Sequence, residues 1–409
     1  MSSIVIVGAS LAGIRAAEVL REESFSGSIT VVNEEKFSPY NRPPLSKQYL
    51  SGEWSEDRVQ LRNPEQIAAL DLDFRDGVRA QSLDLDACTV ALSSGAELTF
   101  DGLVIATGAR NRSHPLLEGH PSVFSLRTLQ DAQNLRAALG NAKSLLIVGG
   151  GFIGCEVAST ARSLGLEVCI VEPQHALMLR GLGSEIGAAL ANLHKQQGVD
   201  IRCNTSITQV TKEGPSTVVQ LSDGTKLTPD LIVVGIGTVP STDWLAASDV
   251  ACDGGVITDE RCRVLTVNGA HATNVVAAGD IARSFSPTLG HLIRSEHWTA
   301  AQEQGADAAR TLLCDLTGRS DEAPVHDPLP YIWSDQFGKK IQIVGHLKPE
   351  DPIHIAKGSY EEAKFLTLIE REGQLVGAIG VGMVPGIVQA RNLLGEPIDI
   401  SSALEKLSS

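Results

Sequence analysis

Two stretches of this chain follow one plan. Residues 4–34 read IVIVGASLAGIRAAEVLREESFSGSITVVNE, and residues 145–172 read LLIVGGGFIGCEVASTARSLGLEVCIVE. Each is a buried apolar strand, a glycine-rich turn, an alanine-rich helix and a second apolar strand closing on a glutamate. That is the βαβ unit of a dinucleotide-binding fold, present twice. The duplication extends further. A short strand and turn follow in each half, at residues 88–95 and 217–224. An apolar strand then runs into glycines, at residues 103–108 and again at 231–237. Whole domains are therefore repeated, not isolated motifs.

Gly8, Ser10 and Gly13 form G-x-S-x-x-G. The first glycine permits the tight turn, the small middle residue lets a pyrophosphate approach, and the last lets helix and strand pack closely. Glu34 ends this unit and is placed to accept from a ribose hydroxyl. Taken alone, the serine variant also fits a glycine-rich turn with no ligand. The second match is complete, with Gly149, Gly151 and Gly154, and Glu172 closes it. A carboxylate there binds a ribose diol and repels a 2′-phosphate, so NADH is expected over NADPH. Residues 173–176, Pro-Gln-His-Ala, offer no Lys or Arg for a phosphate.

A length of 409 residues suggests two or three domains, and 43% hydrophobic residues can build their cores. The formal net charge of −15 argues against nucleic acid as a partner. No apolar run approaches the roughly 20 residues of a membrane span. The N-terminal Met-Ser-Ser-Ile-Val-Ile-Val-Gly reads as a first strand and not a signal peptide. The seven scattered cysteines include no C-x-x-C pair and no zinc-ligand cluster, so a cytoplasmic location and no metal are expected. Beyond the second half, residues 274–280 read as a buried strand ending in Gly-Asp, and a helix is expected over about 295–313. Residues 318–328 resemble a linker. The remainder alternates like antiparallel strands and ends in a short helix.

In these features the chain resembles the FAD-dependent ferredoxin reductases of bacterial oxygenase systems. Pro39-Tyr40-Asn41-Arg42-Pro43-Pro44-Leu45-Ser46-Lys47 is similar to that family's P-Y-x-R-P-P-L-S-K segment. Leu126-Arg127-Thr128, residues 149–156, Val234-Gly235-Ile236-Gly237, Ala278-Gly279-Asp280 and Trp333-Ser334-Asp335-Gln336 follow in the family's order. The resemblance implies an α/β fold class. It comprises two Rossmann-like, glutathione-reductase-like dinucleotide-binding domains and a C-terminal α+β domain with an antiparallel sheet. The implied boundaries are 1–110 with 238–318 for FAD, 111–237 for NAD and 319–409 for a C-terminal interface domain.

The resemblance also assigns residues. To FAD it gives Gly8, Ser10, Leu11, Ala12 and Gly13 in the first turn, with Glu34 and Val78 at the adenosine end. Arg42, Lys47, Ala106, Thr107, Gly108 and Arg127 follow, and Gly279, Asp280 and Trp298 complete the set. To NAD it gives Gly149, Gly151, Phe152, Ile153, Gly154, Glu156, Glu172 and Gly237. Lys47 and Glu156 are the implied catalytic pair, with Lys47 beside flavin N5. A solvated lysine and a solvated helix glutamate are the alternative. Arg127 can equally be a surface ion pair, and Asp280 an N-cap. Trp298 is expected to act through its backbone amide at a helix N-terminus aimed at the flavin, and His297 to be structural.

Residues 36–62 contain no cysteine, so electrons cannot pass to a thiol there, as in disulfide reductases, and must leave to an external acceptor. The implied acceptor is a small acidic [2Fe-2S] ferredoxin that supplies a Rieske-type dioxygenase or a cytochrome P450. Other readings are a monodehydroascorbate- or rubredoxin-type reductase and an apoptosis-inducing-factor-like NADH-binding protein. A monomer or weak homodimer is expected. Docking an acidic partner calls for a positive patch, with Lys47, Arg58, Arg62, Arg294, Lys339 and Lys340 as candidates; the last two can equally serve to solubilise an edge strand. Two departures stand out. Tyr331-Ile332 replaces an aromatic pair at the ferredoxin-facing flank, and Cys155 replaces a leucine.

Overall fold

The computed structural model describes residues 2–214 and 216–408. The chain forms two compact units. One comprises Met1–Asn41, Asp57–Arg110 and Thr238–Pro328; the other comprises Arg42–Glu56, Asn111–Gly237 and Leu329–Ser409.

In the first unit, strand Ser3–Val7 lies between Ser28–Asn33 and Gly102–Ile105, with His271–Ala277 and Asp73–Asp76 beyond them. All these neighbours pair parallel. Parallel strands need both faces covered, and the alternation within one strand supplies two apolar faces. Ile4 and Ile6 pack with the helices Leu11–Glu22 and Trp298–Leu316, through Ile14, Ala17, Ala308 and Leu312. Val5 and Val7 face the other way, into a core shared with Leu83, Val90 and Leu92 of the three-stranded antiparallel sheet. The two helices cross closely because residue 305 is glycine: a Cβ there would lie 2.4 Å from the Ala12 carbonyl oxygen.

The second unit repeats the arrangement. Ser144–Val148 lies between Glu167–Glu172 and Leu231–Val234, flanked by Val199–Cys203 and Val123–Phe124, all parallel. A three-stranded antiparallel sheet again covers one face, through Val219 and Leu221 against Leu146, Val148 and Ile232. Residues 331–381 form a five-stranded antiparallel sheet, followed by helices Val384–Leu393 and Ile400–Ser408. The expected fold class is the observed one.

The expected helix at 295–313 instead spans Trp298–Leu316, because His297 holds an extended backbone (φ −119°, ψ 148°) and caps it. Among the described residues, no helix is long and apolar enough to cross a membrane.

Candidate functional site

In the first unit the site begins at the C-terminal ends of three neighbouring strands, where Val7, Ile105 and Ala277 stand side by side. Each strand runs directly into assigned residues: Gly8–Gly13, Ala106–Gly108 and Gly279–Asp280. Gly8 turns with φ +117°, and a Cβ on it would lie 2.1 Å from the Ala106 carbonyl oxygen. A Cβ on Gly13 would lie 1.9 Å from the Gly8 oxygen. Ser10 is the extended N-cap of helix Leu11–Glu22, so the free first-turn amides open at this turn.

The other residues assigned to FAD are arranged as follows. Strand Ser28–Asn33 stops one residue before Glu34, whose side chain is 70% exposed with Arg79 at 4.0 Å. The Val78 amide donates to the Asn33 carbonyl (3.0 Å), beside that strand end. Thr107 donates to the Ser241 carbonyl (3.2 Å). The Gly279 amide donates to Gln304 Oε1 (2.8 Å), which ties this turn to helix Trp298–Leu316. Trp298 Nε1 donates to Asn41 (3.0 Å). Burial holds the His297 imidazole below its usual range, against the opposing pull of Asp280 and Glu296. Arg42, Lys47 and Arg127 belong to the second unit.

The second glycine turn has the same skeleton. Gly149 has φ +105°, and its Cβ would lie 2.4 Å from the Gly235 oxygen; that of Gly154 would lie 2.2 Å from the Gly149 oxygen. Gly151 differs: a Cβ there meets nothing within 4 Å. The first and third glycines are thus demanded by the protein's own backbone. The middle one leaves space in front of a helix N-terminus, which fits a bound pyrophosphate. Glu172 accepts from the Gly150 amide (2.7 Å) and the Gln174 amide (2.9 Å), which hold its carboxylate at the rim of this turn. Phe152 and Ile153 open the helix Phe152–Ser163, and Ile153 is 45% exposed. Gly237 (φ +97°) accepts from the Arg112 amide (3.0 Å).

Within this unit lies a buried polar cluster. Lys47 Nζ sits 2.7 Å from Glu156 Oε2, with the two side chains only 11% and 3% exposed. Ser46 Oγ donates to the same oxygen (2.5 Å), and Ser334 Oγ to Oε1 (2.7 Å). Thr160, one turn along the helix, donates to the Ser46 carbonyl (2.7 Å) and fastens the Pro-Pro-Leu-Ser-Lys segment to it. The solvated-surface alternative for Lys47 and Glu156 therefore fails. Arg42 donates to the Arg127 carbonyl (2.5 Å) at the start of helix Leu129–Leu139, whose N-cap is Thr128.

Ser46, Ser334 and Gln336 were absent from the assigned site. The available signal was the alternation of Trp333-Ser334-Asp335-Gln336. Along a strand it puts Ser334 and Gln336 on one face and Asp335 on the other. Both are 1% exposed, while Asp335 pairs with Lys340 (2.9 Å).

Four of the six candidates for the positive patch have carboxylate partners. Lys47 is buried on Glu156. Arg62 pairs with Glu18 (2.5 Å), Arg294 with Glu296 (2.5 Å) and Lys340 with Asp335. Each of these four charges is met locally by a carboxylate, which weakens its pull on an acidic partner at longer range. Among the described residues all seven cysteines are unpaired. Burial pushes the Cys155 thiol far up, and the Cys169 thiol up to about 12, so neither is a nucleophile.

Residues 2–305 match the family described as pyridine nucleotide-disulphide oxidoreductase, and residues 331–405 match the reductase C-terminal family. The ferredoxin–NAD(+) reductase component of 3-phenylpropionate/cinnamic acid dioxygenase from Photorhabdus laumondii is 33% identical over 404 residues, with 98% of each chain covered. Rhodocoxin reductase from Rhodococcus erythropolis is 33% identical, covering 98% of this chain and 91% of that one. Among solved structures, the ferredoxin reductase for the CYP199A2 system from Rhodopseudomonas palustris superposes with a TM-score of 0.90 at 32% identity, with both chains fully covered. The reductase in the covalent putidaredoxin reductase–putidaredoxin complex gives 0.88 at 29% identity, over 99% and 98% of the two chains.

Proposed function

We propose that this chain, which belongs to the pyridine nucleotide-disulphide oxidoreductase family and within it to the ferredoxin–NAD(+) reductases, carries electrons from NADH by way of FAD to a small ferredoxin. The ferredoxin in turn supplies a dioxygenase or cytochrome P450. The observation that carries this reading is the buried Lys47–Glu156 pair. A lysine ammonium held away from water on a helix glutamate is costly to bury. It is retained where a fixed positive charge serves chemistry.

FAD, when bound, supplies the exchange of a hydride with a nicotinamide and of single electrons with an iron–sulfur protein. The chain's own residues bind, orient and neutralise. We assign FAD to 1–110 with 238–318 and NADH to 111–237, with 319–409 as the interface domain. The two helix N-termini behind Ser10 and Gly151 take the pyrophosphates. Glu34 and Glu172 take the adenosine riboses, and Asp280 takes a ribityl hydroxyl. Glu172 disfavours a 2′-phosphate by charge, so NADH is preferred. Glu156 fixes the Lys47 ammonium at 2.7 Å, and the role of that held charge is to offset negative charge that develops on the reduced cofactor. With four of the six basic candidates paired locally, we place ferredoxin docking on the flank around Tyr331, Ile332 and Trp333. There the rings of Tyr331 and Trp333 stack 6.1 Å apart and Arg391 lies over Tyr331 (5.7 Å).

The test is stopped-flow reduction of the bound flavin. Lys47→Ala is expected to slow reduction by NADH roughly tenfold to a hundredfold while FAD content stays near that of the parent. A rate within about twofold of the parent would leave the pair a purely structural role in fastening the 42–56 segment.

A further inference from the structure

We propose that Gln336 and His194 are positioning residues for Lys47: they set the direction of a buried hydrogen-bond chain that ends on Glu156. The proposal rests on the reading of Lys47 given above. Ser334 owns one hydrogen and spends it on Glu156 Oε1 (2.7 Å). Its oxygen must therefore receive from its other neighbour. That neighbour is Gln336 Nε2, at 3.0 Å. The same Nε2 lies 3.5 Å from the Met178 sulfur, and a thioether has no hydrogen to give. Both contacts require the amide nitrogen, not its oxygen, on this side. Gln336 Oε1 then faces His194 Nε2 at 2.8 Å, so the imidazole must carry its hydrogen on Nε2.

His194 is fully buried on helix Leu179–Gln196, and the Phe337 ring packs edge-on against it at 4.8 Å. Its Nδ1 meets no donor or acceptor among the described residues, so nothing there favours a second hydrogen. Each donor points toward the carboxylate: His194 to Gln336, Gln336 to Ser334, Ser334 to Glu156. Bonds aligned head to tail polarise one another. The other tautomer would set two acceptors face to face at the Gln336 oxygen. If the amide turned over in response, Ser334 would donate to Gln336 and leave Glu156 Oε1 without its donor. The carboxylate would then be held by Ser46 and Lys47 alone, and the ammonium would be free to shift with it.

The test uses the FAD-loaded protein at saturating NADH. Gln336→Met keeps volume and removes the chain; His194→Phe removes its first donor; His194→Gln restores a nitrogen donor near the Nε2 position. Gln336→Met and His194→Phe should lower the limiting rate of flavin reduction about fivefold or more, with the NADH dissociation constant within about twofold, and His194→Gln should recover most of the loss. In a Lys47→Ala background, Gln336→Met should have no further effect. Independently of activity, ¹⁵N NMR should show the His194 imidazole neutral with its hydrogen on Nε2. A slow Lys47→Ala beside a normal Gln336→Met overturns the positioning role alone; a normal Lys47→Ala overturns both readings. An Nδ1–H tautomer, or equal rates for His194→Phe and His194→Gln, also overturns the proposal. If Gln336→Met does not fold, the His194 pair and the tautomer decide it.

Discussion

The two glycine turns share a skeleton and part company at their carboxylates. In both, the first and third glycines are required by a carbonyl oxygen about 2 Å from where a Cβ would sit. Glu172 is clamped by two backbone amides at the rim of its turn, whereas Glu34 stands past the end of its strand, mostly exposed, with a distant arginine. The middle positions differ too, Ser10 against an open Gly151. The turn skeleton is thus duplicated, while its middle residue and closing carboxylate differ in surroundings. A turn's shape is dictated by contacts inside the protein, while its outward residues answer to what is bound.

The strongest way to break this comparison is at the third glycines. Gly13→Ala and Gly154→Ala should each cost about 3 kcal/mol or more, since the clash is with backbone and not with a side chain that can move. Loss of folded protein on thermal melting checks it, and a mild effect at one site alone would show that the skeletons are not equivalent. At Gly151 the expectation reverses. Gly151→Ala enters open space with φ −78° and should leave the melting temperature within a few degrees. NADH affinity should nevertheless fall about tenfold or more as the pyrophosphate is pushed away.

The carboxylates come next. Glu172→Gln should narrow the NADH-over-NADPH preference in kcat/KM, because it removes the charge that repels a 2′-phosphate. It should also cost about 1–2 kcal/mol, for weakening two charge-assisted bonds to amides. Glu34→Gln should change stability by less than about 0.5 kcal/mol. Equal stability losses would erase the distinction between the two sites.

The smallest effect is in acid. His194 and His297 are both held below the usual imidazole range by burial, but only His297 has acids, Asp280 and Glu296, pulling against it. In the unfolded chain each protonates near pH 6.5. The folded state resists until lower pH, so the unfolded state binds more protons in between. Stability from these groups is therefore complete above about pH 6.5 and declines as pH falls below it. Urea midpoints between pH 7 and 5.5 should flatten more for His194→Gln than for His297→Gln.

Much of this was legible in the residues. Apolar periodicity and glycine spacing are local, and they marked both βαβ units, the flanking strand–turn–strand pieces and the terminal antiparallel domain. Periodicity alone put the helix start three residues early, because the extended backbone of His297 leaves no mark in composition, whereas the resemblance placed Trp298 at the helix N-terminus, where it lies. The local pairing of the basic candidates was not legible because formal charge says nothing about neighbours: Glu18 and Glu296 meet Arg62 and Arg294 in space.

What the sequence by itself determined is the duplicated strand–turn–helix–strand frame, since apolar periodicity and glycine spacing are local. Of the backbone contacts that demand the glycines, those of Gly13 and Gly154 lie within one βαβ unit, while Gly8 and Gly149 meet Ala106 and Gly235 from a neighbouring strand. What only the tertiary structure decided is the environment of Glu156. Its donors come from Ser46 and Lys47, and from Ser334 at a separation of 178 residues. No helical or strand period links such positions. They meet because the Phe152–Ser163 helix, the 42–56 segment and the Tyr331–Gln336 strand pack together, and a buried carboxylate is tolerable only where that packing brings it donors.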